Sequence, residues 1–162
     1  MVYVMGDFLS IESYVPHRGV MLLLDRLVQA DAESATAEVT VPADGLFLQD
    51  QGMPSWVGLE YMAQTVAAWA GWQAAQAQQP VKLGFLLGTR KFVAQHAFFA
   101  PRACLQIHVR CELVAENGLG MFDCRILNEA QELATARISV YEPEDGSAYI
   151  HALEKQGVEE KQ

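Results

Sequence analysis

The chain has 162 residues, 51% of them hydrophobic and 19% charged, which is typical of one globular domain. Its formal net charge of −9 argues against a nucleic-acid-binding protein, because binding to phosphates requires a basic surface. We expect one domain over residues 1–143, followed by a polar, disordered C-terminal tail over residues 144–162. The N-terminus shows no export signal, so we expect a cytoplasmic protein.

The first predicted elements are two strands. They span Met21–Gln29 and Ser34–Val41 and are joined by a turn around positions 30–33. Upstream of them no periodic pattern is visible.

A long apolar helix is predicted next. From position 51 to position 81 the only charged residue is Glu60, and Trp56–Ala75 is apolar or small on nearly every face. Prolines stand on both sides of this segment, as they do at helix ends. Because Glu60, Gln64 and Gln73 would be costly in a lipid bilayer, we interpret the segment as a buried central helix and not as a membrane span.

The remainder of the domain is predicted as four strands that form antiparallel hairpins. Gly84 and Gly88 in the first of them are interpreted as bulges or close backbone approaches. Asn117-Gly118 lies between two apolar runs and predicts a tight turn. Because no parallel strand-helix-strand alternation is visible, the fold class is α+β, with an antiparallel sheet packed on one long helix. The four strands are Lys82–Val93, Ala103–Val114, Leu119–Leu127 and Glu132–Glu142.

Glu60 is the first candidate for chemistry, since burial disfavours the charged form of a carboxyl group and so suits a general acid or base. The alternative is a structural charge in the first turns of the helix, where the macrodipole favours an anion. Gln64 lies four residues further on and shares a helix face with Glu60. It is a candidate for holding the carboxyl group by a hydrogen bond, and the alternative is a packing glutamine.

His17 is the second candidate, because histidine transfers protons near neutral pH. Its alternative role is to hold a loop by hydrogen bonds. His96, His108 and His151 lie beside an apolar run, on the polar face of a strand and in the tail. No spacing of histidines with carboxylates indicates a metal site. The three cysteines, Cys104, Cys111 and Cys124, show no CxxC spacing, so neither a disulfide framework nor a zinc site is predicted.

Two motifs together resemble the 3-hydroxyacyl-acyl-carrier-protein dehydratases of type II fatty acid synthesis. Pro16–Leu27 reads PHRGVMLLLDRL and is similar to the start of that family, and Val57–Gln64 reads VGLEYMAQ and is similar to its helix motif. The likeness covers roughly residues 10–141 and is most similar to the ApeP-type branch associated with aryl polyene synthesis.

The resemblance implies a hotdog fold, in which an antiparallel sheet wraps around one long central helix and two subunits pair with substrate tunnels between them. It implies dehydration of a 3-hydroxyacyl thioester on acyl carrier protein to a trans-2-enoyl thioester, without a cofactor. Glu60, Gln64 and His17 would be the catalytic residues. Trp56, Val57 and Gly58 would bind the substrate, with amides at the helix start polarising the thioester carbonyl.

The family's catalytic histidine precedes the helix in a His-Phe-Pro-Gly segment, and Phe47–Ser55 of this chain has no histidine. Three interpretations follow: His17 acts as the base; a second hotdog subunit supplies the histidine, so that this chain is the Glu-bearing half of a heterodimer; or the chain is a noncatalytic acyl-binding partner. We favour the heterodimer over a homodimer, and a hotdog thioesterase is the alternative enzyme. Lys82, Arg90, Lys91 and Arg102 are the positions from which a basic patch could be built, and the acidic carrier protein is expected to dock on Arg90, Lys91 or Arg102.

Overall fold

The computed structural model describes residues 7–159, with side chains up to residue 157. Its main element is a six-stranded antiparallel sheet in the order β1-β2-β6-β7-β8-β4. The helix α1 packs on one face of this sheet, and a further pair, β3 and β5, lies apart. The predicted α+β layout is confirmed. The strands are β1 (Arg26–Ala30), β2 (Ser34–Thr40), β3 (Met53–Pro54), β4 (Phe85–Ala94), β5 (Phe98–Phe99), β6 (Cys104–Val114), β7 (Leu119–Asn128) and β8 (Gln131–Tyr141), and the helices are α1 (Gly58–Gln76) and α2 (Gly146–Glu159).

The sheet has one apolar and one polar face. In β6, the side chains of Leu105, Ile107 and Val109 are fully buried in the core. The residues between them lie on the opposite face of the sheet. The predicted turn between β6 and β7 is present, and Gly118 has a positive φ of 91° there. A side chain at Gly118 would meet the Glu142 carbonyl oxygen at 2.2 Å, so both its backbone conformation and its surroundings require glycine.

The helix α1 crosses the apolar face of the sheet. It begins after a short 3-10 turn at Ser55–Val57 and ends close to the predicted position. Four residues of this helix are almost completely buried, and they are Tyr61, Met62, Thr65 and Ala68. None of the helices in residues 7–159 is long and apolar enough to cross a membrane.

The N-terminal segment lies across α1. A Cβ atom at Gly71 would meet the carbonyl oxygen of Tyr14 at 1.8 Å, so the chain can cross the helix only where a glycine stands. The Trp69 indole N–H donates to the Asp31 carbonyl at 3.0 Å and fixes the turn between β1 and β2 on the same helix. These contacts hold the segment at Tyr14 and the turn at Asp31 against the second half of α1.

Three features differ from the prediction. The first strand starts at Arg26 and not at Met21, because residues 19–21 form a 3-10 turn. At Gly84 and Gly88 the predicted bulge is present between Leu86 and Gly88, but the predicted close approach is not, since an added Cβ would meet nothing closer than 3.8 Å. The predicted polar tail contains α2, and only its last residues, 160–162, lie outside the described residues, as do residues 1–6 of the predicted domain.

Candidate active site

Glu60 lies in the first turn of α1, where the helix macrodipole favours a negative charge. Its side chain is 36% exposed, so the carboxyl group stands at an opening and not inside the packed core. The Gln64 amide donates to Glu60 Oε1 at 2.9 Å. The carboxyl group is therefore held from the helix side and accessible from the other.

Gln64 is completely buried and uses its whole carboxamide. Its Oε1 accepts the Leu23 N–H at 2.9 Å, and its Nε2 donates to the Met21 carbonyl at 2.7 Å as well as to Glu60. With one acceptor and two donors in use, the side chain has a single orientation. Gln64 thus connects the PHR motif segment to the acidic residue of the helix motif.

His17 lies beside Glu60. Its Nε2 is 3.7 Å from Glu60 Oε1, while its Nδ1 is buried and has no hydrogen-bond partner among the described residues. Burial lowers the pKa of His17, the Glu60 charge opposes this effect, and the Arg18 cation adds to it. The ring therefore favours the neutral form, which is able to accept a proton.

A cavity of about 550 Å³ extends from His17 and Glu60 along one side of α1. Small residues at three- and four-residue spacing, Ala63, Ala67, Ala70 and Ala74, form its helix wall. The 1.5 Å rise per residue gives roughly 21 Å between Glu60 and Ala74. The opposite wall comes from β7, β8 and the start of β4, and its apolar members include Phe85, Phe122 and Val140. Much of the cavity lining is therefore apolar.

The three residues predicted to bind substrate do not line this cavity. Trp56 is 55% exposed and packs edge-on against Phe47, with ring centroids 5.6 Å apart. Val57 is buried, and the Gly58 N–H is already bonded to the carbonyls of Ser55 and Trp56. Within this chain the helix start is therefore a neighbour of the cavity and not part of its wall.

The other histidines lie elsewhere. His108 is on the polar face of β6, where its Nδ1 is 2.9 Å from Thr36 Oγ1, and His151 lies on α2 beside Glu154. His96 follows the end of β4. Among residues 7–159 no group of His, Cys, Asp and Glu side chains has an arrangement that could hold a metal ion.

The predicted basic patch is not gathered at the cavity. Lys82 lines the cavity beyond the C-terminal end of α1. Lys91, with a positive φ of 55° at a bulge of β4, lines a separate groove together with Arg110, Arg125 and Arg137. Arg90 is exposed on β4, and Arg102 lies in the loop before β6. Only Lys82 of the four predicted cations contacts the cavity that contains Glu60.

The model of the ApeP-like family, described as ApeP dehydratase, matches residues 9–151. The chain belongs to the ApeP-like dehydratase family. Membership confirms the resemblance read from the two motifs and assigns the chain to a dehydratase-type enzyme family. The comparison with curated proteins finds no match.

Solved structures place the ApeP-like chain in the hotdog fold. A chain of the dehydratase heterocomplex ApeI:P from Xenorhabdus doucetiae superposes with a TM-score of 0.83 at 29% identity, over 91% of this chain and 99% of that chain. The PaaI protein of E. coli gives a TM-score of 0.56 at 15% identity, over 71% of this chain and 80% of its own. A hypothetical thioesterase from Streptococcus pneumoniae gives 0.56 at 13% identity, over 72% and 84%. At such low identities the last two matches concern the fold alone, and the predicted hotdog fold is confirmed.

Several residues that shape this ApeP-like site were not singled out from the sequence. The alanine row of α1 was visible as an apolar stretch, and its three- and four-residue spacing would have indicated one common face. The main-chain groups of Met21 and Leu23 carry no such signal, because a hydrogen bond to a side chain more than forty residues away has no local pattern.

Proposed function

We propose that this chain dehydrates a 3-hydroxyacyl thioester carried on acyl carrier protein to the trans-2-enoyl thioester, as the Glu-bearing half of a hotdog heterodimer. The observation that carries the proposal is a carboxyl group, Glu60, fixed by a buried Gln64 at the head of an apolar cavity of about 550 Å³. An acyl chain would lie in the cavity with its 3-hydroxyl group at Glu60.

The reaction requires two proton transfers on adjacent carbons. A base removes the proton from C2, the electron pair of that C–H bond forms the C2–C3 double bond, and the C3–O bond breaks. Glu60, in its protonated form, donates its proton to the departing hydroxyl, which leaves as water. Gln64 would keep the carboxyl group in one orientation during this step, and the thioester itself acidifies C2, so no cofactor is needed.

The base is assigned to a second subunit because of the way in which His17 lies. Its Nε2 lies 3.7 Å from Glu60 Oε1 and its Nδ1 is buried, so we pair His17 with the Glu60 carboxyl group and not with C2 of the substrate. The segment Phe47–Ser55, where the dehydratases resembled by this chain have their histidine, has none. His17 would act on the Glu60 carboxyl group through its own charge state. If no second subunit supplies the base, His17 is the candidate within this chain.

The open edge of the sheet supports a second subunit. β4 is an edge strand, and its Leu86, Leu87 and Val93 are 42%, 52% and 52% exposed. An unpaired edge with apolar side chains is a template for pairing with another chain. The match to a chain of the ApeI:P heterocomplex favours a different subunit as the partner over a second copy.

The resemblance to the ApeP-type branch favours an acyl substrate of aryl polyene synthesis. An extended polyene chain would lie along the alanine row of α1, which spans roughly 21 Å from Glu60 to Ala74. Trp56, exposed near the helix start, is proposed to contact the substrate or its carrier arm, and the buried Val57 and Gly58 are proposed to support substrate binding from behind it. The macrodipole at the start of α1 would favour the developing enolate charge.

The first experiment compares dehydration of a 3-hydroxyacyl-carrier-protein by four samples: the chain alone, a His-bearing hotdog subunit from the same source alone, their mixture, and the mixture with Glu60→Gln. Product is measured as the absorbance and mass of the enoyl thioester. We expect turnover in the mixture only, and a fall of about 10²- to 10⁴-fold with Glu60→Gln, because one positioned acid or base contributes that much. Glu129→Gln, in the turn between β7 and β8, is the matched control and should retain full turnover.

Other results would identify the alternatives. Turnover by this chain alone that His17→Asn abolishes would make His17 the base. Full activity of the mixture with Glu60→Gln would show that this chain is a noncatalytic partner. Release of free carrier thiol without loss of water would identify a thioesterase, in which Glu60 activates water.

A further inference from the structure

The Arg18 side chain is engaged entirely with main-chain carbonyl groups. Its Nη1 donates to the carbonyl oxygens of Val15 at 2.6 Å and His17 at 2.7 Å, and its Nη2 donates to that of Glu12 at 2.9 Å. No carboxylate within residues 7–159 forms an ion pair with it. A planar guanidinium directs several N–H groups at fixed angles, so this arrangement ties the end of the 3-10 turn at Ile11–Ser13 to the carbonyl group of His17.

The loop that carries His17 is therefore fixed at two points. Before and at His17 it is held by Arg18, and after it Gln64 holds the main chain at Met21 and Leu23. Between the two points stands Gly19, with a positive φ of 61° at a sharp change of direction. His17 lies on the first of these two anchors, and its ring faces Glu60 at 3.7 Å.

We propose that Arg18 is a positioning residue that holds the His17 ring against Glu60 by clamping the carbonyl oxygens of Glu12, Val15 and His17. This inference rests on the proposed function for its effect on turnover. Arg18 does not itself contact the cavity, and it acts through the place that it gives to His17.

The charge of Arg18 acts on the same ring. The two charged groups that influence the pKa of His17 are Glu60, which raises it, and Arg18, which lowers it, and burial lowers it further from its ordinary value of 6.5. Loss of the clamp would release the ring from its buried place, and loss of the cation would remove a repulsion. Release of the ring also weakens the opposite influence of Glu60, but burial is the largest of the three influences, so the net effect of losing the clamp is a higher pKa of His17. A variant that loses only the clamp should therefore lie between the wild type and a variant that loses both.

The experiment uses Arg18→Lys, which keeps the positive charge but has one point donor in place of the fork, and Arg18→Gln, which loses both. Arg26→Lys is the matched control at another exposed arginine, whose partner is Glu38. The pKa of His17 is measured by NMR on histidine-labelled protein without substrate. The chain has 4 histidines, and the His17 signal is assigned by its disappearance in His17→Asn. kcat, KM and their pH profiles are measured on the mixture with the His-bearing subunit.

We expect the pKa of His17 to increase in the order wild type, Arg18→Lys, Arg18→Gln, and to be unchanged in Arg26→Lys. We expect kcat to fall about ten- to a hundredfold in both Arg18 variants, since a displacement of about 1 Å costs that much, with KM almost constant. In Arg18→Gln, the limb of the pH profile that reports His17 should move to higher pH. An identical pKa of His17 in all the Arg18 proteins would overturn the inference.

The NMR titration and the kinetic measurements separate this inference from the proposed function. If the mixture shows no dehydration even for the wild type, the proposed function fails, and the NMR titration still decides whether Arg18 positions His17. If the titration follows the expected order but both Arg18 variants keep the wild-type kcat, the clamp exists and its role in turnover is refuted.

Discussion

The two faces of α1 have different surroundings. One face is buried: Thr65 and Ala68 are completely buried on it, and Gln64 is completely buried at the border with Glu60, where its carboxamide is hydrogen-bonded within the chain. On the other face Glu60 and the alanine row border an open cavity. We call these the sealed face and the open face.

The difference indicates which part of the site this chain completes alone. The sealed face fixes the acidic residue through Gln64, and its polar groups are satisfied without help. On the open face Glu60 is 36% exposed, and the buried Nδ1 of His17 has no partner among the described residues. The proposed acid is thus positioned by one chain, whereas the open face and the nearby edge strand β4 form the surface that we propose a second subunit covers.

The largest expected effect comes from the sealed face. Gln64→Leu leaves the Leu23 N–H and the Met21 carbonyl without partners, and each unsatisfied group costs roughly 1–3 kcal/mol, so we expect a loss of about 2–6 kcal/mol in the free energy of unfolding. Gln73→Leu, on the same helix, removes only an exposed bond to the Ala32 carbonyl and should cost less than about 1 kcal/mol. Urea denaturation measures both variants. Equal losses would show that the buried network is no more important than a surface contact.

An intermediate effect is expected at the edge strand. Leu87→Asp places a charge in the β4 surface, and burial of a leucine side chain is worth roughly 1.5–3 kcal/mol, so we expect association with the second subunit to weaken by at least about tenfold. Leu113→Asp is the control, because Leu113 is 53% exposed against 52% for Leu87 but lies on an inner strand of the sheet. Sedimentation velocity of each mixture gives the dissociation constant. If only Leu113→Asp prevents association, the second subunit does not pair along β4.

The sequence predicted the elements that depend on local patterns. The ends of α1 followed from its flanking prolines, and the turn at Gly118 followed from Asn-Gly. The start of β1 was wrong because the Leu23 N–H bonds to the Gln64 side chain and not to a neighbouring strand, a contact that alternation of apolar residues cannot reveal. α2 was missed because its residues are mostly polar, and its Tyr149 packs on Phe85 and Tyr141 only once the sheet has formed.

For the site, the sequence indicated Glu60, Gln64 and His17 through two separate motifs, and the structure brings the three side chains together. The sequence also indicated that Gln64 shares a face with Glu60, but not that it holds two main-chain groups of the other motif. Trp56, Val57 and Gly58 precede the alanine row, in the 3-10 turn and at the first position of α1, and they do not line the cavity. Their part in substrate binding stays a prediction.

The smallest expected effect lies at the far end of the open face, where Lys82 borders the cavity. If the acidic carrier protein docks there, so that its arm and not the acyl tail lies along the alanine row, Lys82→Glu should lower kcat/KM for the carrier-bound substrate by roughly two- to fivefold, because a single exposed charge contributes little. The loss should shrink at high salt, since screening weakens exposed charges. Lys155→Glu, on the exposed surface of α2, should leave kcat/KM unchanged.

A second comparison uses the same acyl group on a small thiol without the carrier protein. With that substrate Lys82→Glu should have no effect on kcat/KM. A loss that is equal for both substrates and independent of salt would mean that Lys82 shapes the cavity and does not receive the carrier, so that the carrier must approach α1 from its other end, beside Glu60 and Trp56.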